Sequence, residues 1–319
     1  MKKSLIALAV LGLSGAAMAQ SSVTLYGKAD AGLGKIELDA SPTGGDATNK
    51  TQFISGSTMN AFTSRVGVRG VEDLGGGMKV GYTFETGLDL NDGSTTGSTT
   101  GGAFWARQAN MSLSSDWGTV KLGQQYRPSY LANDVYDLTD QANYSVLGYS
   151  YTNPNNVRAP SAFAYVSPTF NGLTAAVAFV SKNDLGNDKN VWDVAAMYAN
   201  GPISAGASAS RASHGKTAYQ LGGKYDFGSF LLAGSYSQAL NDSNEVRRGF
   251  GLGGTVKFGA LALTLDLTRD TKNVQNNGDK YTNGLLEARY QLSKRTFVYA
   301  AYLRADKTNN YGLGIDHNF

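Results

Sequence analysis

The side chains that carry nucleophilic or metal chemistry are scarce in this sequence. It has no cysteine and two histidines, His214 and His317. A hydrolytic site needs a base held beside its nucleophile, and Ser213 next to His214 in the chain is not such a triad. The lack of cysteine also excludes disulfides and thiolate metal sites. We therefore predict that the chain is not an enzyme and that it holds no metal or other cofactor.

Charged side chains at particular spacings suggest a different chemistry, which is an electric field across a water-filled path. One candidate set lies on the first predicted strands and would form a basic wall: Lys28, Arg65, Arg69, Lys79 and Arg107. A second candidate set lies in the long connection 126–160, which would act as a constriction loop: Arg127, Asp134, Asp137 and Asp140. Connections of this length are usually functional.

The elements that would position these charges alternate with a period of two. One parity is apolar in four representative segments: Met78, Val80, Tyr82, Phe84 and Leu88; Tyr219, Leu221, Tyr225 and Phe227; Leu261, Leu263, Leu265 and Leu267; Phe297, Tyr299, Ala301 and Leu303. Successive strand side chains point to opposite faces, so each strand has an apolar and a polar face. Arg107 is the exception among the basic set, because it shares parity with Ala109 and Met111. We still expect it to face the lumen, since an Arg in mid-bilayer lipid costs about 2–4 kcal/mol.

The predicted strands are about ten residues long, as tilted membrane strands must be. Their expected spans are 22–33, 61–72, 78–88, 104–114, 119–125, 160–168, 173–182, 190–199, 203–212, 217–227, 230–239, 248–258, 260–270, 281–292, 296–305 and 310–319. The connections alternate between short turns and long loops. This pattern predicts an all-β fold, a 16-stranded antiparallel transmembrane β-barrel with short periplasmic turns and long extracellular loops.

Composition agrees with such a barrel. The 40 glycines, 18 tyrosines and 6 prolines suit short strands and tight turns. Aromatic residues near strand ends are candidates for interfacial girdles: Tyr26, Phe84, Tyr198, Phe227, Phe258, Tyr290 and Phe297. The mean hydropathy is −0.26, and after residue 19 no apolar run reaches the length of a spanning helix, which excludes a helical membrane protein.

The two ends of the chain indicate export and assembly. Residues 1–19 have the basic start, short apolar run and Ala17-Met18-Ala19 site of a signal peptide, so the barrel is expected to occupy 20–319. Without Lys2 and Lys3, the 28 basic residues fall to 26 against 25 acidic ones, which argues against nucleic acid as a partner. Phe319 ends an alternating strand, as in the assembly signal by which the barrel assembly machinery recognises outer-membrane barrels.

Several motifs resemble the general diffusion porins of Gram-negative β-proteobacteria. They are Ser22 to Gly27, Ser64 to Gly67, Gly70 to Gly77, Arg107 to Ala109, Gly118 to Tyr126 and His317 to Phe319. The resemblance implies a homotrimer in the outer membrane, surrounded by lipid and lipopolysaccharide, with a third loop folded into the pore. It also implies passive diffusion of ions and small hydrophilic solutes. One departure is Gln124, where the family pattern has an arginine in many members.

A weak preference for anions is expected because basic residues concentrate before the third loop. Inward Glu85, Asp226, Asp266 and Glu287 oppose this preference. Three alternatives stay open from the sequence: a substrate-selective outer-membrane channel, a soluble periplasmic β protein that binds a ligand, and a barrel enzyme.

Overall fold

The computed structural model describes residues 22–37, 48–96, 103–151, 157–182 and 189–319. The predicted signal peptide, residues 1–19, lies outside the described residues. Within them, sixteen strands form the wall of a closed antiparallel barrel. The wall strands are β1 (Ser22–Ile36), β3 (Arg65–Gly75), β4 (Met78–Leu88), β6 (Gln108–Ser115), β7 (Gly118–Tyr126), β8 (Arg158–Val166), β9 (Leu173–Val180), β10 (Val191–Asn200), β11 (Ile203–Ala212), β12 (Thr217–Asp226), β13 (Phe230–Leu240), β14 (Val246–Phe258), β15 (Leu261–Asn273), β16 (Thr282–Ser293), β17 (Thr296–Ala305) and β18 (Thr308–Asn318).

Closure of the barrel depends on β1, which pairs with both its neighbours. Its first half pairs with β3 and its second half with β18, from Lys28 opposite Asn318 to Lys35 opposite Tyr311. Phe319 completes the seam, because its backbone N–H and C=O exchange hydrogen bonds of 3.1 Å with Gly27. Closure leaves the wall without a free sheet edge, as a membrane-spanning sheet requires.

The outer face of the wall is apolar along most strands. Leu221, Leu265 and Leu313 expose 60%, 52% and 54% of their surface, and the polar residues between them point inward. A sheet with one apolar and one polar face, and with the apolar face on the outside, is suited to lipid outside and water inside. The predicted parity is therefore confirmed for β12, β15 and β18.

The predicted parity is wrong for β17. Phe297, Tyr299 and Leu303 point into the barrel and are nearly fully buried. They are apolar because the long loop between β7 and β8, together with the segment before β3, covers this part of the inner wall. Tyr26 also points inward, where its hydroxyl donates to Glu85, so neither Tyr26 nor Phe297 belongs to an interfacial girdle.

Most predicted strand bounds agree with the structure, and those of β4, β11 and β17 are the same. Two strands begin four residues later than predicted, at Arg65 and at Gln108. The connections expected as loops contain two further short strands, β2 (Thr48–Ile54) and β5 (Thr95–Thr96), which extend the β1 and β4 ladders at the long-loop rim. Within the described ranges, no helix is long and apolar enough to cross a membrane.

The connection between β7 and β8 contains two short helices, α1 (Pro128–Asp134) and α2 (Val146–Tyr151). The sequence had indicated an irregular loop over 126–160. We call residues 127–151 the inner loop, because they lie against the inward-facing side of the wall.

Candidate pore constriction

The inner loop occupies space that inward-facing glycines leave free. Helix α1 packs against β10, β11 and β12, and α2 packs against β13 to β17. A Cβ at Gly206 would lie 2.0 Å from the Ala132 carbonyl oxygen, and one at Gly222 would lie 2.4 Å from the Tyr136 ring. Such distances exclude any side chain at these positions unless the loop moves. The glycines of β11 and β12 therefore determine how closely the loop approaches the wall.

A carboxylate of the wall holds the start of α1. Pro128 stands at the first turn of the helix, where its missing N–H is not needed. The Ser129 N–H and hydroxyl donate to the two carboxylate oxygens of Asp193 at 2.8 and 2.6 Å. A negative charge at the first N–H groups of a helix is favourable. This pair of bonds joins the loop to β10.

Asp137 organises the bend between the two helices. Its carboxylate accepts hydrogen bonds from the Thr139 N–H and hydroxyl, the Gln141 N–H and the Ser145 hydroxyl at 2.5–3.1 Å. Its exposed fraction is 1%. Asp140 and Gln141 both take positive φ angles of 56°, so the bend depends on this set of bonds. Asp137 therefore supports the loop rather than facing the open bore.

Asp134 and Asp140 are the exposed carboxylates of the inner loop. Asp140 accepts a hydrogen bond from Arg289 Nη1 at 3.2 Å. Partial burial, and then the negative charges of Asp140 and Asp137, raise the pKa of Asp134 to about 6, although Lys224 acts in the opposite direction. The loop thus presents a negative surface whose charge depends on pH near 6.

Tyrosines and a serine attach the second half of the inner loop to inward-facing acids and threonines. The Tyr144 hydroxyl donates to Glu287 at 2.5 Å, and the Ser150 hydroxyl lies 2.7 Å from that of Thr268. Tyr149 and Tyr151 donate to Asp306 and Asp270 at 3.0 and 3.2 Å. Because these bonds reach β15, β16 and the turn between β17 and β18, they fix the second half of the loop to the wall.

A cluster of guanidinium groups lies at the start of β3, just before β6 and at the start of β8. Arg107 Nε donates to Glu85 at 2.7 Å, and Arg65 Nε lies 3.8 Å from the same carboxylate. The Tyr126 hydroxyl accepts from Arg107 at 2.9 Å and from Arg158 at 3.3 Å. We call Arg65, Arg107 and Arg158 the arginine cluster. With Glu85 as its carboxylate partner, the cluster keeps two net positive charges.

The position of Arg107 explains its unexpected parity. It precedes β6, which begins at Gln108, so strand alternation does not apply to it. Its backbone N–H donates to the Glu85 carbonyl, and the residue is 5% exposed. Gln124 donates through its side-chain amide to the Ala106 carbonyl, and this bond supports the segment that precedes Arg107.

The other predicted wall residues lie outside the arginine cluster. Lys28 is paired with Asp316 at 3.3 Å and lies 3.5 Å from the centre of the Phe62 ring. Arg69 lies over the Tyr26 ring and is closer than Arg65 to the short-turn end of β3. Lys79 is exposed at the short-turn end of β4.

Arg127 lies at the start of the inner loop. It donates from Nε to the Arg158 carbonyl at 3.1 Å, and it is 8% exposed. Burial lowers the pKa of Arg127, while nearby Asp193 acts in the opposite direction. Arg127 thus joins the two ends of the connection between β7 and β8, at the point where the chain leaves the wall.

Two basic residues of this region were not predicted. Arg158 begins β8, two residues before the predicted strand, and it was assigned to the loop. Arg289 bridges Asp140 of the loop and Glu287 of the wall, at 3.2 and 2.8 Å. Its parity with inward-facing Glu287 was a usable indication that it faces the lumen.

Across the residues that the structure describes, no group of His, Asp and Glu side chains is arranged to hold a metal ion. His317 Nδ1 lies 2.8 Å from the Thr296 hydroxyl on the outer face. What the interior offers is a charged bore, with arginines on one part of the wall and exposed aspartates on the loop.

A closed barrel of sixteen strands with an apolar outside and a charged, loop-narrowed inside defines an outer-membrane channel protein. The chain belongs to the Gram-negative porin family, whose sequence model matches residues 4–310. It is 33% identical to outer membrane porin protein 32 of Delftia acidovorans, over 98% of this chain and 92% of that protein. It is 28% identical to an outer membrane porin protein of Bordetella pertussis over the whole of both chains.

The solved structures agree on the fold. An anion-selective porin from Comamonas acidovorans superposes with a TM-score of 0.72 and 24% identity, over 94% of this chain and 100% of that one. The protein is therefore an outer-membrane porin with short periplasmic turns and long extracellular loops. Since porins are channels, family membership agrees with the prediction that the chain is not an enzyme.

Proposed function

We propose that the protein forms a homotrimeric, water-filled pore for passive diffusion of ions and small hydrophilic solutes, with a weak preference for anions. The observation that carries the proposal is the arginine cluster, which keeps two net positive charges beside the bore. Charged groups around a narrow aqueous path determine which ions enter it. The inner loop forms the constriction.

The preference is weak because the inner loop opposes the arginine cluster. Asp134 and Asp140 are exposed on the loop, and Asp140 is partly neutralised by Arg289. Positive and negative groups on different sides of the bore produce a transverse field. The net positive charge of the cluster then gives anions a modest advantage.

The trimer is proposed from the family resemblance and from the outer surface near the seam. Val23 and Leu25 on β1 expose 71% and 67% of their surface, and Val71 on β3 exposes 46%. Such an apolar face must be covered by lipid or by a neighbouring subunit. Size-exclusion chromatography with light scattering of the unheated protein is expected to give three chains, and a monomer would refute the trimer.

The selectivity is tested by the reversal potential of single channels in a KCl gradient. We expect a permeability ratio of Cl⁻ to K⁺ modestly above one. A ratio below one would contradict the proposed role of the arginine cluster. Block of the current by a particular solute at low concentration would instead favour the substrate-selective channel.

A further inference from the structure

A buried arginine on β14 lies beside the second half of the inner loop, away from the arginine cluster. Arg247 is the second residue of β14 and is 5% exposed. Its Nε and Nη2 donate to the two oxygens of Asp270 at 3.1 and 3.2 Å, and its Nη2 and Nη1 donate to the two oxygens of Asp306 at 2.5 and 3.4 Å. One guanidinium thus binds two carboxylates, each through a pair of bonds.

A β-bulge brings the partners of Arg247 to one face of the wall. Arg247 pairs with Asn273 and Gly249 pairs with Asp270, so β15 has one residue more than β14 over this stretch. Without the extra residue, Asp270 and Asn273 would lie on opposite faces of β15, because they are three positions apart. With it both point inward, where Asn273 Nδ2 donates to Asp270 at 3.0 Å. Asp306 reaches the same place from the turn between β17 and β18.

Arg247 is the base that neutralises both carboxylates. Over the ranges that the structure describes, no other ion pair includes Asp270 or Asp306. The two carboxylates lie close together, since Arg247 Nη2 donates to both of them. Two largely buried negative charges at such a distance repel each other unless a positive charge lies between them. Removal of Arg247 is therefore expected to displace at least one of the two carboxylates.

The same two carboxylates hold the end of the inner loop. The hydroxyl of Tyr151 donates to Asp270 at 3.2 Å, and that of Tyr149 donates to Asp306 at 3.0 Å. The guanidinium carbon of Arg247 lies 5.6 Å from the centre of the Tyr149 ring. Helix α2 therefore contacts the wall through the two acids that Arg247 keeps in place.

We infer that Arg247 is a positioning residue of the pore: it holds Asp270 and Asp306 where the tyrosines of α2 bind them, and so keeps the second half of the inner loop against the wall. The inference rests on the proposed function, in which this loop forms the constriction. Arg247 acts through the two acids, because its own side chain is buried behind the loop.

The motion expected on loss of Arg247 is confined to α2. Tyr144 binds Glu287 nearer the bend of the loop, and the Ser150 hydroxyl lies 2.7 Å from that of Thr268. Neither contact involves Arg247, so the loop stays attached while α2 loses the bonds of its two tyrosines. Because the wall lies on one side of α2, its excursions carry it toward the bore. Such excursions narrow the path and reduce the current briefly and in part.

Single-channel recordings of the folded, full-length protein test the inference. Arg247→Gln removes the base, and Tyr149→Phe with Tyr151→Phe removes the two hydroxyls without a change in charge. A combined variant carries all three substitutions. Arg211→Gln is the matched control, since Arg211 is exposed near the end of β11 at the same long-loop rim. Heat-modifiable migration on gels verifies that each variant is folded.

We expect brief partial closures in Arg247→Gln channels. The fraction of time in the reduced level should be about thirtyfold above the wild-type value, the factor for two hydrogen bonds of ordinary net strength. The double tyrosine variant should give the same increase. Because the substitutions break one connection, the combined variant should add nothing to either. If Arg247 only stabilised the barrel, folded channels of the variant would conduct as the wild type does, and Arg211→Gln channels are expected to do so.

Three results would overturn the inference. They are a wild-type record from the double tyrosine variant, additive effects in the combined variant, and an equal change in Arg211→Gln. The double tyrosine variant keeps every charge and every ring, so it decides the question even where Arg247→Gln does not fold. Failure of the pore proposal would be visible separately, because the wild-type protein would then carry no current.

Discussion

Replacing Arg65 with glutamine removes one positive charge from the arginine cluster and leaves the rest of it in place. Arg107 is the closer partner of Glu85, at 2.7 Å against 3.8 Å for Arg65. The Arg65 side chain is 23% exposed, whereas that of Arg107 is 6% exposed. Glu85 therefore keeps its main partner in the variant, and the barrel is expected to fold.

The size of the effect follows from screened electrostatics. A unit charge about 5 Å from an ion in water contributes about 0.8 kcal/mol, which salt of about 0.1 M screens to about 0.5 kcal/mol. The charge favours anions and disfavours cations by this energy, so its loss lowers the anion-to-cation permeability ratio about fivefold. At about 1 M salt the change falls below about twofold, because the screening length shortens to about 3 Å.

The assay is the reversal potential of single channels in a KCl gradient at both salt concentrations. Arg295→Gln is the matched control, since it removes the same group from an exposed turn at the periplasmic rim. A folded Arg65→Gln variant with the wild-type reversal potential at low salt would show that Arg65 does not contribute to ion selectivity. An equal shift in Arg295→Gln would contradict the prediction as well, because the effect would then not be local.

Three further predictions concern the loop and the seam. Because the pKa of Asp134 is about 6, its charge is present above that pH and lost below it, so anion preference should rise as the pH falls from 8 to 4.5. The reversal potential measures this rise, and Asp134→Asn should remove most of it. Gly206→Ala should change the single-channel conductance, because its Cβ would meet the Ala132 carbonyl at 2.0 Å. Gly223→Ala, whose Cβ has room at 3.6 Å, should not change it. Deletion of Phe319 removes its two bonds to the first strand, and outer-membrane fractions should then contain little folded protein; wild-type amounts would contradict the assembly role.

The sequence predicted the wall well because each wall strand alternates on its own. Leu265 and Leu313 are exposed on the outer face of the barrel, and a face that must meet lipid selects apolar residues at every second position. The same periodicity gives the number of strands, and it shows which connections are the short turns of one rim and which are the long loops of the other. The short strands β2 and β5 were not predicted, because they extend other ladders and bury little apolar surface.

Periodicity failed where one part of the chain covers another. The pattern predicts that Phe297 and Tyr299 face lipid, yet they face the inner loop. An apolar residue fits either environment, so the sequence pattern cannot distinguish them. Nothing in the sequence of 127–151 indicates which strands it contacts. The glycines at 206 and 222 are informative only once the loop is seen against them.

The candidate site was predicted in part. Arg65 and Arg107 were identified as basic wall residues, and the structure brings both to Glu85. Arg158 was not predicted as a wall residue because it is the first residue of β8, whereas the alternating pattern placed the start of that strand at residue 160. Asp137 was expected to face the bore, but its carboxylate is buried by hydrogen bonds within its own turn. The sequence pattern does not show such burial, because it depends on how the loop folds.

A water-filled pore narrowed by the inner loop must conduct ions when the folded protein spans a membrane. The purified, unheated protein is inserted into planar lipid bilayers, and the current is recorded in KCl solutions of increasing concentration. We expect stepwise increases of current of uniform size, and the conductance of each step should rise with the conductivity of the bulk solution. A folded protein that inserts and carries no current, or whose current saturates at low salt, would contradict it.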